Sequence, residues 1–279
     1  MRELVTQVAA RTLPPALFAR LRQIVFRLKL AEPRRIWRGV FQHVRDVPAR
    51  GPGYADDAHR AAVIREVERL VGPGSRPRPT LDDDSGALLS LLCAVVSAQR
   101  SGPIRVLDFG GGPGVGYAQV QASLCAPHQI EYHVVELASV CEDGRRLFGH
   151  DPQIQFHASI PSRLSSVDIV HAAGSLEAIE DWQGLLRALC RLDPRWVLLT
   201  GVCCGDFETF ASALMLIKGS AIPMWLLNGR AIVDVMAECG YALQLRTLLE
   251  RVHVQDNFPP SLRLPRGHPS AMLFGKSVD

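Results

Sequence analysis

Long apolar runs are missing from this 279-residue chain. None approaches the ~20 residues that a helix needs to cross a bilayer, so no transmembrane helix is expected. The N-terminus lacks a compact apolar core followed by a small-residue cleavage site, and no secretory signal is expected either. CxxC pairs are absent. The seven cysteines, at positions 93, 125, 141, 190, 203, 204 and 239, are scattered, and only Cys203 and Cys204 adjoin. That spacing speaks against zinc, and no metal ligands are expected. An odd number of thiols inside apolar stretches points to reduced, buried cysteines and a cytoplasmic setting. With 47% hydrophobic and 21% charged residues, the chain suits a globular protein with one large domain, or a domain with an appendage.

The net charge of +3 is small but unevenly spread. Residues 1–50 hold 11 Lys and Arg against 3 Asp and Glu, a balance of +8, which leaves −5 for the remainder. Within this basic arm, residues 16–30 read as an amphipathic helix. Leu17, Phe18, Leu21, Ile24, Val25 and Leu28 recur at helical spacing, and Arg20, Arg22, Arg27 and Lys29 fill other positions. Such a helix suits a membrane surface, a second copy of the chain or a partner, and equally a face packed on its own domain. The rest of the chain is acidic in balance, and nucleic acid is a poor candidate partner.

Residues 46–58 read as a loop, and Asp57–Leu70 as a helix closed by Gly72-Pro73-Gly74. The stretch Gly74–Asp84 reads as a turn-rich linker, and Gly86–Gln99 as an apolar helix. From residue 103 strands and helices alternate. Strands are expected at Ile104–Phe109, Ile130–Glu136, Ile154–His157, Val167–Ala172 and Trp196–Thr200. Helices are expected at Tyr117–Cys125, Val140–Phe148 and Trp182–Arg191. That alternation predicts a mainly parallel sheet covered by helices on both faces. Residues 206–219 and 229–239 read as helical. Tyr241–Val252 and Ala271–Gly275 read as two strands of a closing hairpin.

The segment Val106-Leu107-Asp108-Phe109-Gly110-Gly111-Gly112-Pro113-Gly114 ends a strand and runs into a helix. Glycines there permit positive φ and close approach of a ligand to the backbone, and the helix start offers unpaired N–H groups. The nicotinamide fingerprint G-x-G-x-x-G fails in every frame, because Val115, Tyr117, Pro113 or Gln119 falls where a glycine is required. No Tyr-x-x-x-Lys pair is present, which further disfavours a nicotinamide oxidoreductase. Glu136 ends the next strand, 22 residues after Gly114. A carboxylate so placed can accept both hydroxyls of a ribose.

The pattern hydrophobic-hydrophobic-Asp-x-Gly-x-Gly-x-Gly resembles motif I of class I S-adenosylmethionine (SAM)-dependent methyltransferases. The resemblance implies SAM as cofactor and a Rossmann-like sheet of order 3-2-1-4-5-7-6 with an antiparallel last strand. In that family the loop wraps the methionyl part of SAM, and the strand-end acid lies near its ammonium. These roles pass to Asp108, Gly110, Gly111, Gly112 and Gly114, with Glu136 on the ribose and Leu137 under the adenine. Asp168 to Trp182 looks like the fourth strand and loop of small-molecule methyltransferases. This implies Ala172 and Ala173 along the SAM edge, joined by Ser159. Glu177 and Ala178 fall where many relatives carry histidines facing the substrate. A narrower resemblance, to a bacterial methyltransferase family with an LDFGGG…Y signature, rests on Leu107–Gly112 with Tyr117. It also rests on Trp37–Phe41, Gly53-Tyr54, His133–Glu136, Gly174–Leu176 and Ile222–Trp225. Leu199–Cys204 and Ala178 depart from it.

The implied organisation is a helical N-terminal extension over residues 1–85 and a SAM-binding domain over residues 86–279 with an insertion around residues 206–228. Methyl transfer from a sulfonium needs positioning and exclusion of water, and a base only if the acceptor must lose a proton. Glu177, His171 and Tyr117 are the candidate bases, and Met224 and Trp225 the candidate cover of the acceptor. A small molecule or glycan precursor is the expected substrate, since no Asn/Asp-Pro-Pro-Tyr/Phe tetrapeptide follows the fourth strand. The competing reading is a non-catalytic SAM-binding or scaffold protein that docks a partner through its N-terminal arm.

Overall fold

The computed structural model describes residues 36–71, 84–99, 101–124, 129–149, 151–164, 166–216 and 219–277. The amphipathic segment 16–30 and the linker 74–83 lie outside them. Ile36–Asp279 forms one compact unit. It takes in a strand, β1 (Trp37–Phe41), and a helix, α1 (Asp57–Val71), from the stretch grouped above with the N-terminal extension.

The alternating pattern after residue 103 builds a seven-stranded sheet. Its parallel strands are β2 (Ile104–Phe109), β3 (Ile130–Val135), β4 (Ile154–His157), β5 (Ile169–Ala173) and β6 (Trp196–Val202). Each is short, apolar and β-branched, and each is followed by a helix or turn that returns the chain over a sheet face. The helices are α3 (Val115–Ser123), α4 (Ala138–Phe148) and α5 (Trp182–Cys190), with α2 (Asp84–Ala98) entering ahead of β2.

In the small second sheet lie β7 (Cys204–Gly205), β8 (Phe210–Met215) and β9 (Ala221–Asn228). After α6 (Gly229–Glu238), β10 (Tyr241–Leu248) and β11 (Ser270–Lys276) form the expected hairpin. The large sheet runs β10-β11-β6-β5-β2-β3-β4, with β11 antiparallel to both neighbours. Read from β4 this is the order 3-2-1-4-5-7-6, and the fold is Rossmann-like of the class I kind. Among the described residues no helix is long and apolar enough to cross a membrane.

One element differs from expectation. The segment 206–219, read as helical, holds a strand instead: β8 pairs antiparallel with β9 and with β1 in the four-stranded sheet β1-β8-β9-β7. The cause is burial on both faces. Phe210 joins Trp37, Met224 and Phe258 in one apolar cluster, while Ala211 and Ala213 join Trp225 and Leu227 in another. A strand apolar on both faces has no alternation to show, and its continuous run imitates a helix. Pro223 is tolerated in β9 because β7 pairs only with Leu227 and Asn228, leaving that edge free along Pro223.

Candidate active site

The carboxyl ends of β2, β3 and β5 open into a cavity of about 1220 Å³. This is the end of a parallel sheet at which ligands bind, because the strands stop and the helices begin there. Its floor is the loop Gly110–Pro113. Glu136 and Leu137 flank one side, Ser159 stands beyond them, and Ala173 to Ser175 close the other side. Tyr54 and the start of α1 reach over it from the N-terminal side, and Leu249, Arg251 and His253 reach over it from the chain after β10.

The loop is shaped by Asp108. This carboxylate is 1% exposed. One oxygen accepts from the Tyr132 hydroxyl at 2.7 Å, and the other lies 2.8 Å from His171 Nδ1. The second ring nitrogen of His171 is 3.0 Å from Thr200 Oγ1, so the tie crosses β2, β5 and β6. Gly111 passes so close that a Cβ there would lie 2.4 Å from Asp108 Oδ2. Gly110 adopts φ +71° and donates its N–H to Val135 O at 2.8 Å. A Cβ on Gly110 would meet Ser175 Cβ at 2.4 Å, whereas one on Gly112 (φ +58°) would make only ordinary contact with Val115 at 3.7 Å and Val63 at 3.9 Å. The loop is thus pinned from beneath and bare above, as a backbone cradle requires.

Not every residue expected at this site faces it. Gly114 starts α3 at φ +96°, and a Cβ there would strike Phe148, so it serves helix–strand packing. Ala172 points into the core, because side chains alternate along β5 and its neighbours His171 and Ala173 take the cavity face. Tyr117 lies on the buried face of α3 between Tyr132 and Phe148, and its hydroxyl donates to Asp151 at 2.7 Å. Burial and Asp151 raise its pKa far above that of a free tyrosine, and no acceptor can reach it. His171 does line the cavity, but with Asp108 and Thr200 on its two ring nitrogens it is a tie rather than a free base. Met224 and Trp225 are also misassigned to the cavity wall. Both are buried in β9, and the Trp225 indole donates to Glu180 O at 3.2 Å.

Glu136 remains on the cavity wall. Its carboxylate accepts the Leu137 N–H and, through the loop, that of Gly112. Burial raises its pKa above the usual carboxylate value. Leu137 presents an exposed apolar side chain beside it, 53% accessible, as a flat ring would need.

Glu177 is the most perturbed acid. It sits behind Ala178, 1% exposed, and one oxygen accepts the Cys203 N–H at 2.7 Å. The other oxygen is buried without a hydrogen-bond partner. Burial pushes its pKa up to about 7. Glu177 borders Tyr54, which lines the cavity and whose hydroxyl is pushed up to about 12 by burial and then by the Glu177 charge. Behind them lies His253, whose Nδ1 takes the Trp37 indole N–H at 3.3 Å and lies 3.8 Å from the Cys203 thiol. Burial, then the nearby Arg251 charge, pushes His253 down to about 4.

Sequence reasoning did not single out Arg251, His253 or Thr200, and it met Tyr54 only as part of a resemblance. A lone histidine two residues after an arginine in a turn-rich stretch carries no pattern. The signal for Thr200 and Cys203 was the departure of Leu199–Cys204 from the resembling family. Among the described residues no cluster of three His, Cys, Asp or Glu side chains could hold a metal ion.

Residues 56–245 match the model of a family described as a methyltransferase domain. The match covers well over half of the chain, and the protein belongs to that family. No curated protein matches it. Among solved structures, the chain is similar to a Burkholderia thailandensis 1,6-didemethyltoxoflavin-N1-methyltransferase with bound 1,6-didemethyltoxoflavin and S-adenosylhomocysteine (SAH). Identity is 15% over 83% of this chain and 94% of that one, with a TM-score of 0.49. A SAM-bound amino pentose methyltransferase from Micromonospora echinaspora is 10% identical over 82% and 100%, with a TM-score of 0.48. An SAH-bound magnesium protoporphyrin IX methyltransferase from Synechocystis is 13% identical over 79% and 97%, with a TM-score of 0.47. The family assignment rests on the sequence match.

Proposed function

We propose that the protein transfers the methyl group of SAM to a small molecule, a biosynthetic or glycan precursor, held in the same cavity. The observation that carries this reading is the joining of the glycine loop, Glu136 and the Tyr54–Arg251–His253 side in one space of about 1220 Å³. Pockets that hold one small ligand are roughly 300–1,000 Å³, so this cavity is larger than one ligand needs. The chain's own chemistry fits the cofactor. The bare backbone at Gly110–Gly112 suits the methionyl part, Glu136 has a carboxylate for ribose hydroxyls, and Leu137 offers an apolar face for the adenine. Ser159 and Ala173 line the remaining edge.

When bound, SAM supplies an activated methyl on a sulfonium, which the acceptor displaces in line. The chain's work is then to align the two ligands and to exclude water. Asp108, held by Tyr132 and His171, fixes the loop rather than meeting an acceptor. Glu177, with a pKa of about 7, is poised to take a proton near neutrality, with Tyr54 between it and the cavity. The segment Leu107–Gly112 supports our reading of the chain as a class I enzyme near the LDFGGG group.

Calorimetric titration with SAM, SAH and NAD tests the reading. SAM and SAH are expected to bind with one site each and NAD not at all, and Glu136→Ala is expected to weaken SAH at least ~10-fold. A folded sample that binds neither SAM nor SAH contradicts it. SAH release on incubation with SAM and a metabolite extract separates an enzyme from a SAM-binding scaffold.

A further inference from the structure

The cavity is polarised. Its acids stand on the glycine-loop and α1 side, and each is already engaged. Asp108 holds Tyr132 and His171, Glu136 holds loop N–H groups, Asp143 is paired with Arg60 and Arg146, and Glu66 with Arg69. The opposite wall is different. Arg251, an exposed side chain, lines it and forms no ion pair with a carboxylate among the described residues. Its positive field reaches Tyr54, Cys203 and His253.

His253 adds a second donor. Its Nδ1 accepts the Trp37 indole N–H. An indole can only donate, so in the neutral ring the proton sits on Nε2. That Nε2 is buried with no partner, in a side chain only 8% exposed. A buried donor left unmade is expensive, and a ligand whose binding opens a path to it recovers the loss. Tyr54 adds a third donor, a hydroxyl that stays protonated at neutral pH. Around these three the wall is apolar, made by Ile160, Ala178, Ile179, Leu249 and Pro269.

We propose that this half of the cavity takes a methyl acceptor with a largely apolar body and a carboxylate, the carboxylate seated against Arg251, His253 Nε2–H and the Tyr54 hydroxyl. The proposal rests on the methyl-transfer reading above. A cationic acceptor would meet a guanidinium there, while the acids on the wall are engaged and the Glu177 carboxylate near Tyr54 is buried behind the wall rather than on it. A neutral one would meet a guanidinium that water already solvates and gain no charge-assisted bond from it.

The test uses full-length protein saturated with SAH, titrated by NMR with phenylacetate, phenylacetamide and phenethylamine, three probes of similar size and different charge, the first two also alike in shape. Phenylacetate is expected to bind about tenfold more tightly than phenylacetamide, as a charge-assisted contact predicts, and phenethylamine most weakly. Arg251→Met is expected to abolish the preference while leaving SAH affinity unchanged, which also shows that the variant is folded. Tyr54→Phe is expected to weaken phenylacetate more than phenylacetamide. Equal binding of the three, a preference for the amine, no binding of any, or a carboxylate preference that survives Arg251→Met overturns the inference. SAH affinity is read first. Its absence overturns the methyl-transfer reading and this inference with it, whereas normal SAH binding without carboxylate preference overturns this inference alone.

Discussion

The two halves of the cavity are built in opposite ways. On the glycine-loop side every charged group has a partner within the chain, and the backbone is held in positive φ at Gly110 and Gly112 from below. On the facing side a carboxylate oxygen of Glu177 and a ring nitrogen of His253 are buried without partners. The paired half is complete as it stands and presents a fixed surface. The other half stores polar groups whose pairing awaits a ligand, and burial perturbs their pKa values accordingly. Rigidity toward the methyl donor and unmet demand toward the acceptor are thus separate properties, and substitutions can break one and spare the other.

The largest effect is expected on the paired side. Asp108→Ala leaves the Tyr132 hydroxyl and His171 Nδ1 unpartnered in the core, and about 4 kcal/mol of stability is expected to be lost in a denaturant titration. Asp108→Asn, which keeps an acceptor oxygen, is expected to lose less.

Next comes Glu177. Its folded pKa of about 7 is raised by burial above the ordinary 4.5. Its contribution is therefore fully present below about pH 4.5 and lost as pH rises through about 7. Glu177→Gln is expected to stabilise the protein by roughly 3 kcal/mol at about pH 8 and to change little at about pH 4. Denaturant midpoints measured across that range check the sign.

A smaller effect separates two neighbouring glycines. Gly110→Ala drives a Cβ against Ser175 and is expected to weaken SAH about 30-fold, or ~2 kcal/mol. Gly112→Ala meets only ordinary van der Waals contacts with Val115 and Val63 and is expected to lose only about 1 kcal/mol through its positive φ. Smallest is Tyr117→Phe. Loss of the bond to Asp151 is expected to cost about 1 kcal/mol of stability with SAH affinity and pH–rate profile unchanged, because Tyr117 lies outside the cavity.

The paired half was readable because it is local. Val106–Gly114 is one contiguous strand and turn, and Glu136 follows at a spacing fixed by one helix and one strand. The parallel character of the large sheet followed from the same alternation, and its strand order from the resemblance to class I methyltransferases. The other half assembles Tyr54, Glu177, Arg251 and His253 from positions almost 200 residues apart, and nothing in the spacing of such residues foretells their meeting. Periodicity also failed at Phe210–Met215, where burial on both faces erased the alternation that marks a strand. Met224 and Trp225 went astray with it. Once that segment is a strand of the small sheet, both side chains turn inward. For Tyr117 and Ala172 the helical and strand periods were sufficient in principle, since each lies one step from a residue that does face the cavity.

A crystal structure of the full-length protein with SAH tests the division of the cavity most directly. The account predicts the methionyl portion along Gly110–Gly112, both ribose hydroxyls on the Glu136 carboxylate, and the sulfur turned toward the space between Tyr54 and Arg251. SAH bound away from Glu136, or with its sulfur facing α4 and the Arg251 side filled by the adenine, would contradict it.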